Sequence, residues 1–223
     1  MAQPLAVAFD CDGVLADNGS SWQAIHDGFE TENKQMLAKF IAQEIDDDEF
    51  MADDVAKWME AKGRIHKDDI ARCYGGIRLM PGAREVVGRL QERGIVVAII
   101  SSGVDIFVGM IAAMLKVDDW VANGFDWDED GWMNGPAPSR VLSFDKGIMV
   151  DKLMRINDLS SDQIVSVGDS GSDLSMMIKG SSFIGFNPAG TWSVDAFKEA
   201  GVPIVKSRDL RDIWPILMDG EEF

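Results

Sequence analysis

The length, composition and charge of the chain exclude several classes of protein. With 223 residues and 46% hydrophobic content, the chain can bury a substantial core, as one large domain or as a domain with a modest insertion. Its longest apolar stretch, residues 95–100, is far shorter than the roughly 20 residues of a membrane-spanning helix, so we expect a cytoplasmic protein that does not enter a membrane. A formal charge of −17 disfavours nucleic acid and anionic membrane surfaces as partners, and we predict a small-molecule partner.

The N-terminal third of the chain predicts one short strand followed by helices. Residues 5–9 are apolar and end abruptly at Asp10, which is typical of a buried strand in a parallel sheet. From residue 20 to about residue 72, apolar residues recur at helical spacing among many charged residues. We predict that this segment is a small helical module, inserted as a cap over the carboxyl edge of the sheet.

Strands and helices alternate along the rest of the chain. The predicted strands are residues 95–100, 120–122, 164–167, 183–186 and 203–205, and the predicted helices begin after Pro81, after Gly103 and near Lys146. This alternation is typical of an open α/β sheet of mainly parallel strands with helices on both faces, a three-layer Rossmann-type architecture. The predicted division is a discontinuous core of residues 1–16 and 77–223 and an inserted cap of residues 17–76.

Two acidic runs have structural interpretations. Asp126, Asp128 and Asp130 have the spacing that begins a calcium-binding loop, but Ala137 stands at the twelfth position, where such a loop needs Glu. We therefore predict a hairpin turn there. The run over residues 46–49 is predicted to be a solvated loop.

Polar clusters follow three of the predicted strands. The clusters are Asp10-Cys11-Asp12-Gly13, Ser101-Ser102-Gly103 and Gly168-Asp169-Ser170-Gly171-Ser172-Asp173. Each cluster alone is also typical of a turn or a helix cap. In an open α/β sheet, however, ligands bind beyond the carboxyl ends of the strands. The order of the clusters therefore indicates one shared site.

These motifs resemble those of the haloacid dehalogenase superfamily, and within it the phosphoserine phosphatase branch, over essentially the whole chain. Asp10-x-Asp12-Gly-Val resembles the first motif, Ser101 the second, Lys146 the third, and Gly-Asp169-x-x-x-Asp173 the fourth. The resemblance implies a phosphoryl-transfer enzyme with a helical cap inserted after the first strand. It also implies the role of Lys146 in the site and a place for Asp173 in the outer part of a metal site.

The chemistry of phosphate monoesters assigns separate roles to the acidic residues. Asp10 can act as the nucleophile if Mg²⁺, held by Asp10 and Asp169, offsets the repulsion between a carboxylate and a phosphate dianion. Asp12 can protonate the leaving oxygen and later deprotonate the attacking water. The predicted metal site comprises Asp10, Asp12, Asp169 and Asp173.

Three further residues are predicted to bind the phosphoryl group. Lys146 can pair with both that group and Asp10, while Ser101 and Ser102 can donate hydrogen bonds to its oxygens. We also expect Ser101 to cap the helix that follows it.

The predicted substrate is a small phosphorylated metabolite, and phosphoserine is the leading candidate. The resemblance implies a Glu and an Arg in the cap that recognise phosphoserine, but the matching positions hold Gly19 or Ser20 and about Val55. The basic residues that could replace the Arg are Lys57, Arg64 and Arg72.

Other functions remain open at this point. A phosphotransferase, or a phosphatase for another metabolite, would share the aspartyl-phosphate intermediate. A non-enzymatic phospho-acceptor module is disfavoured, because a long-lived phospho-aspartate has no use for Asp12 or for a cap. A true dehalogenase is disfavoured because it needs neither Asp12 nor a metal site.

Overall fold

The computed structural model describes residues 3–223. The strands are β1 (Ala6–Phe9), β2 (Val96–Val104), β3 (Asp119–Asn123), β4 (Phe125–Trp127), β5 (Met133–Pro136), β6 (Ile164–Gly168), β7 (Ser182–Phe186) and β8 (Ile204–Val205). The helices are α1 (Ser21–Phe29), α2 (Lys34–Ile41), α3 (Asp47–Lys62), α4 (Lys67–Cys73), α5 (Ala83–Glu92), α6 (Asp105–Leu115), α7 (Gly147–Asn157), α8 (Thr191–Glu199) and α9 (Trp214–Leu217). Among these helices, none combines the length and the apolar character needed to cross a membrane.

Six of the strands form one sheet in the order β3-β2-β1-β6-β7-β8, and every pairing in it is parallel. Alternate side chains of β1 enter different hydrophobic clusters: Val7 and Phe9 pack on one face, Ala6 and Ala8 on the other. Helices α5 and α6 cover the first face, while α7 and α8 cover the second. The predicted three-layer α/β fold is confirmed.

Strand β2 is longer than predicted, and this changes the local role of one serine. The strand continues to Val104 and so includes Ser101, and its register with β3 shifts between Ile100 and Val104. Helix α6 begins at Asp105 after an N-cap residue, Val104, that makes no side-chain capping bond. The prediction that Ser101 caps this helix is therefore wrong, because its hydroxyl lies inside the strand and accepts from the backbone N–H of Gly103.

The two acidic runs have opposite outcomes. The hairpin is confirmed: β4 and β5 are antiparallel, and Asp128 in the turn accepts hydrogen bonds from the backbone N–H groups of Asp130 and Trp132. The predicted loop over residues 46–49 is wrong. Asp46 instead caps α3 through a reciprocal pair of hydrogen bonds with Glu49, since acidic residues complement the positive end of a helix.

Helices α1 to α4 lie between β1 and α5 in the chain and pack against the β4–β5 hairpin through aromatic side chains. Trp58 of α3 is fully buried, stacks on Trp22 at 5.8 Å between ring centroids, and meets Phe125 of the hairpin edge-on, also at 5.8 Å. Its indole N–H donates to Nδ1 of the buried His26 at 3.1 Å. This cluster joins the helical segment to the rest of the molecule.

We predict that Trp58→Ala lowers the free energy of unfolding by about 3–5 kcal/mol, because it leaves a cavity in a packed aromatic cluster and removes the hydrogen bond to His26. The matched control is Ile156→Ala, which truncates a side chain that is 64% exposed and should change stability by less than about 0.5 kcal/mol. Urea denaturation followed by circular dichroism measures both. Equal effects of the two variants would contradict the packing described here.

Candidate active site

The first motif begins where β1 ends. The backbone N–H of Asp10 donates to the carbonyl of Val167 in β6 at 2.9 Å, which fixes the chain between two strands. Gly13 then turns with φ of +74°, and a Cβ at this position would lie 2.3 Å from Oδ2 of Asp169. Glycine is required here both by the left-handed backbone and by the close approach of the two segments.

Lys146 connects the first and last motifs. It immediately precedes α7 and is only 2% exposed, and its Nζ lies 2.7 Å from Oδ1 of Asp10 and 2.6 Å from Oδ1 of Asp173. Burial alone would lower the pKa of Lys146, but the two carboxylates outweigh burial and hold that pKa above its usual value. The lysine is therefore a buried, permanently charged group that contacts two carboxylates.

Three buried carboxylates gather around this lysine. Asp10, Asp169 and Asp173 each offer an oxygen that lies within 4.8 Å of the others. Burial raises the pKa of Asp10 to about 7, although Lys146 opposes this shift, and burial together with the charges of Asp173 and Asp10 raises the pKa of Asp169 well above its usual range. Three carboxylates against one lysine leave an excess of negative charge, which suits a divalent cation.

The hydrogen bonds of Asp173 separate its role from those of the other two carboxylates. One of its oxygens contacts Lys146, and the other accepts from the backbone N–H groups of Asp169 and Ser170, at 3.1 and 2.9 Å. Both oxygens of Asp173 thus already have partners within the protein. Asp10 and Asp169 are the better placed pair to contact a cation directly, and Asp173 orients Lys146 and the loop of Asp169.

Asp12 faces a different way from Asp10. Its carboxylate accepts hydrogen bonds from Nδ2 of Asn18 at 2.5 Å and from Oγ of Ser21, at the start of α1, at 2.7 Å. Burial raises the pKa of Asp12, and these hydrogen bonds oppose the shift only in part. The side chain of Asp12 does not belong to the group of three carboxylates. Three of the four predicted metal residues thus lie together, whereas the carboxylate of the fourth, Asp12, contacts Asn18 and the start of α1.

The side chains of Ser101 and Asp12 both lie close to Gly103. A Cβ placed on Gly103 would lie 2.6 Å from Oδ2 of Asp12 and 3.1 Å from Oγ of Ser101. The backbone carbonyl of Ser102 accepts from the indole N–H of Trp22 at 3.0 Å, so the end of β2 is tied to α1. The predicted phosphate-binding serines therefore lie at the edge of the sheet that also carries Asp12, while Lys146 lies beside Asp10.

Sequence reasoning missed the two partners of Asp12. Asn18 and Ser21 are six and nine residues from it in the chain. Ser20 caps α1 by accepting a hydrogen bond from the backbone N–H of Gln23. Two adjacent serines followed by apolar residues at helical spacing are typical of a helix start, so the sequence could have indicated where α1 begins. No local pattern could have indicated that the second serine turns back to Asp12.

The parallel sheet with three acidic side chains gathered at its carboxyl edge defines an open α/β scaffold of the Rossmann type with an acidic site. A model of the haloacid dehalogenase-like hydrolase family matches residues 7–177, and the chain belongs to this family. It is similar to the phosphoserine phosphatase of Methanocaldococcus jannaschii, with 27% identity over 93% of this chain and 94% of the relative. It is also similar to the phosphoserine phosphatase of Halobacterium salinarum, with 24% identity over 82% of this chain and 85% of that one.

A solved structure extends this likeness to the fold. A phospho-aspartyl intermediate analogue of phosphoserine phosphatase superposes with a TM-score of 0.80 and 25% identity, over 96% of this chain and 99% of that structure. The chain is therefore a phosphoserine phosphatase-like hydrolase.

We predict that a divalent cation such as Mg²⁺ stabilises the protein more at pH 8 than at pH 6. Binding requires the deprotonated form of Asp10, whose pKa is raised to about 7, so the proton competes with the cation below that value. Because the pKa of Asp169 is raised as well, apparent affinity falls by at least about tenfold per pH unit below the pKa of Asp10. Thermal unfolding with and without MgCl₂ at the two pH values measures the effect, and Asp169→Asn should remove most of it. An equal shift at both pH values would contradict the assignment.

Proposed function

We propose that this chain is a Mg²⁺-dependent phosphatase that hydrolyses a small phosphate monoester through an aspartyl-phosphate intermediate on Asp10. The observation that carries the proposal is the position of the buried Lys146 between Asp10 and Asp173, with Asp169 alongside. The names of the relatives make phosphoserine the first substrate to test.

In the first step, an oxygen of Asp10 attacks phosphorus, the bond from phosphorus to the ester oxygen breaks, and Asp12 transfers a proton to that oxygen as it leaves. Lys146 supplies positive charge beside Asp10, and Ser101 can donate a hydrogen bond to a phosphoryl oxygen. Bound between Asp10 and Asp169, Mg²⁺ would offset the negative charge of the phosphoryl group.

In the second step, Asp12 acts in the opposite direction. It accepts a proton from a water molecule while the water oxygen forms a bond to phosphorus, and the bond from phosphorus to Asp10 breaks. Inorganic phosphate and the free Asp10 carboxylate result. One residue can serve as acid and then as base because the proton lost in the first step is recovered in the second.

The environments of the two carboxylates support this division of roles. Lys146 lies 2.7 Å from Asp10 and opposes the rise in the pKa of Asp10 that burial causes, and a cation held by Asp10 and Asp169 would further favour the ionised, nucleophilic form. Asp12 has no such cationic contact within hydrogen-bonding distance among residues 3–223, and burial raises its pKa, which favours a protonated starting state. Its hydrogen bonds from Asn18 and Ser21 fix the direction in which its proton is delivered.

The helical segment has a proposed role as a cap. We assign residues 17–76 to the cap and residues 1–16 and 77–223 to the catalytic core, because α1 to α4 form an uninterrupted helical insertion between β1 and the strand–helix alternation. The contact of Ser21 with Asp12 supports this division, since it brings the first cap helix to the reacting centre.

A phosphotransferase would use the same aspartyl-phosphate intermediate, with an alcohol in place of water.

We predict that Asp10→Asn lowers kcat for p-nitrophenyl phosphate by about a thousandfold or more, because an amide cannot act as the nucleophile. Asp195→Asn is the control: it makes the same chemical change at a carboxylate that is 77% exposed, and turnover should be unchanged. Phosphate release with MgCl₂, and again after chelation, gives both rates. Near-parental turnover by Asp10→Asn, or turnover unaffected by the chelator, would refute the proposal.

A further inference from the structure

A cavity lies between the helical segment and the carboxyl edge of the sheet. Its volume is about 200 Å³, and its lining includes Ser102 on the sheet side and Trp22, Phe40, Phe50 and Asp47 on the helical side. No Lys, Arg or His of residues 3–223 lines it. The cavity is therefore small and lined by both aromatic and polar side chains, and its only charged lining group is a carboxylate.

This cavity adjoins the residues that handle the leaving group. Ser102 follows the phosphate-binding Ser101, and two lining residues, Ser20 and Trp22, flank the Ser21 whose hydroxyl donates to Asp12. Asp12 must protonate the oxygen that leaves. The cavity beside Ser20, Trp22 and Ser102 is therefore the space that we assign to the carbon skeleton attached to that oxygen.

The carboxylate of Asp47 is held in place at the wall of the cavity. It accepts from Oγ of Ser143 at 2.6 Å and from the backbone N–H of Ser143 at 3.1 Å. Its neighbours along the chain add further negative charge, since Asp46, Asp48 and Glu49 form the rest of the start of α3. A carboxylate on the substrate would meet this charge without a compensating cation, whereas an ammonium group would be attracted to it.

The basic residues that could have recognised a substrate carboxylate are engaged elsewhere. Lys57 pairs with Asp53 at 2.5 Å, Arg72 pairs with Asp69 at 2.6 Å, and the Arg64 guanidinium lies 4.3 Å from the ring centroid of Trp132. Val55 is buried in the hydrophobic core. None of these side chains lines the cavity.

We infer that the leaving group is a small amino alcohol that carries an ammonium group and no carboxylate. This inference rests on the proposed phosphatase function. The ammonium is placed against Asp47, and the rings of Trp22, Phe40 and Phe50, which also line the cavity, provide aromatic surroundings for a cation. Phe40 and Phe50 stack on each other at 4.6 Å, so this wall is preformed.

Three phosphate monoesters test the inference as matched pairs. Phosphoethanolamine differs from phosphoserine only by the absence of the carboxylate, and propyl phosphate replaces its ammonium with a methyl group of similar size. We expect kcat/KM for phosphoethanolamine to exceed that for each of the other two by about tenfold or more. A higher kcat/KM for phosphoserine or for propyl phosphate would overturn the inference.

Asp47→Asn isolates the charge, because the amide oxygen can still accept from Ser143. We expect this variant to lower kcat/KM for phosphoethanolamine about tenfold while values for propyl phosphate and p-nitrophenyl phosphate stay within about twofold of the parent. The matched control is Asp48→Asn on the same helix, where the carboxylate accepts from the backbone N–H of Ser139 and does not line the cavity. This control should not change the ranking of the three substrates.

The outcomes separate this inference from the function on which it rests. A uniform loss with all substrates in Asp47→Asn would mean that Asp47 only supports the fold, and would overturn the inference. If the parent hydrolyses p-nitrophenyl phosphate but prefers phosphoserine, the inference fails and the proposed function survives. If the parent with Mg²⁺ hydrolyses none of these monoesters, the proposed function fails and the inference fails with it.

Discussion

The site depends on one buried ion-pair arrangement, that of Lys146 with Asp10 and Asp173. A lysine can be enclosed in a protein only when opposite charges and hydrogen bonds replace the water it has lost. Here Asp10 directly follows β1, Asp173 lies in the short 3-10 helix after the neighbouring strand β6, and the lysine directly precedes α7. Loss of one partner would leave an unpaired buried charge, so the position of each group constrains the others.

The same arrangement explains how two aspartates only two residues apart acquire different chemistry. Asp10 directly follows β1 and faces the lysine and Asp169, whereas Asp12 lies just before the turn at Gly13 and faces Asn18 and Ser21. Burial raises the pKa of both carboxyl groups; the charge of Lys146 opposes the rise at Asp10, whereas hydrogen bonds from neutral donors oppose it at Asp12. In the proposed mechanism, these different surroundings, rather than different side chains, separate the nucleophile from the acid.

The fold and the edge of the sheet where the candidate site residues gather were largely predictable from the sequence because they depend on local patterns. The apolar runs of β1 and β6, each followed by aspartates, identified both strands and the edge where they meet. The contacts across the chain were not predictable in this way: Lys146 lies 136 residues from Asp10, and Asp47 lies 96 residues from Ser143. The acidic run that begins α3 was misinterpreted because aspartates suit both a solvated loop and the start of a helix. Only the packed structure shows that one of them borders the cavity.

The most direct test of the central claim is chemical trapping of the covalent intermediate. Borohydride reduction of acid-quenched enzyme converts an acyl phosphate on aspartate to homoserine, which peptide mass spectrometry can locate. With p-nitrophenyl phosphate and Mg²⁺ present, the label should appear at Asp10, and it should be stronger in Asp12→Asn, because p-nitrophenolate can leave without an acid whereas the second step lacks its base. Labelling of Asp12 or Asp169 instead, or no labelling of Asp10 during active turnover, would contradict the account.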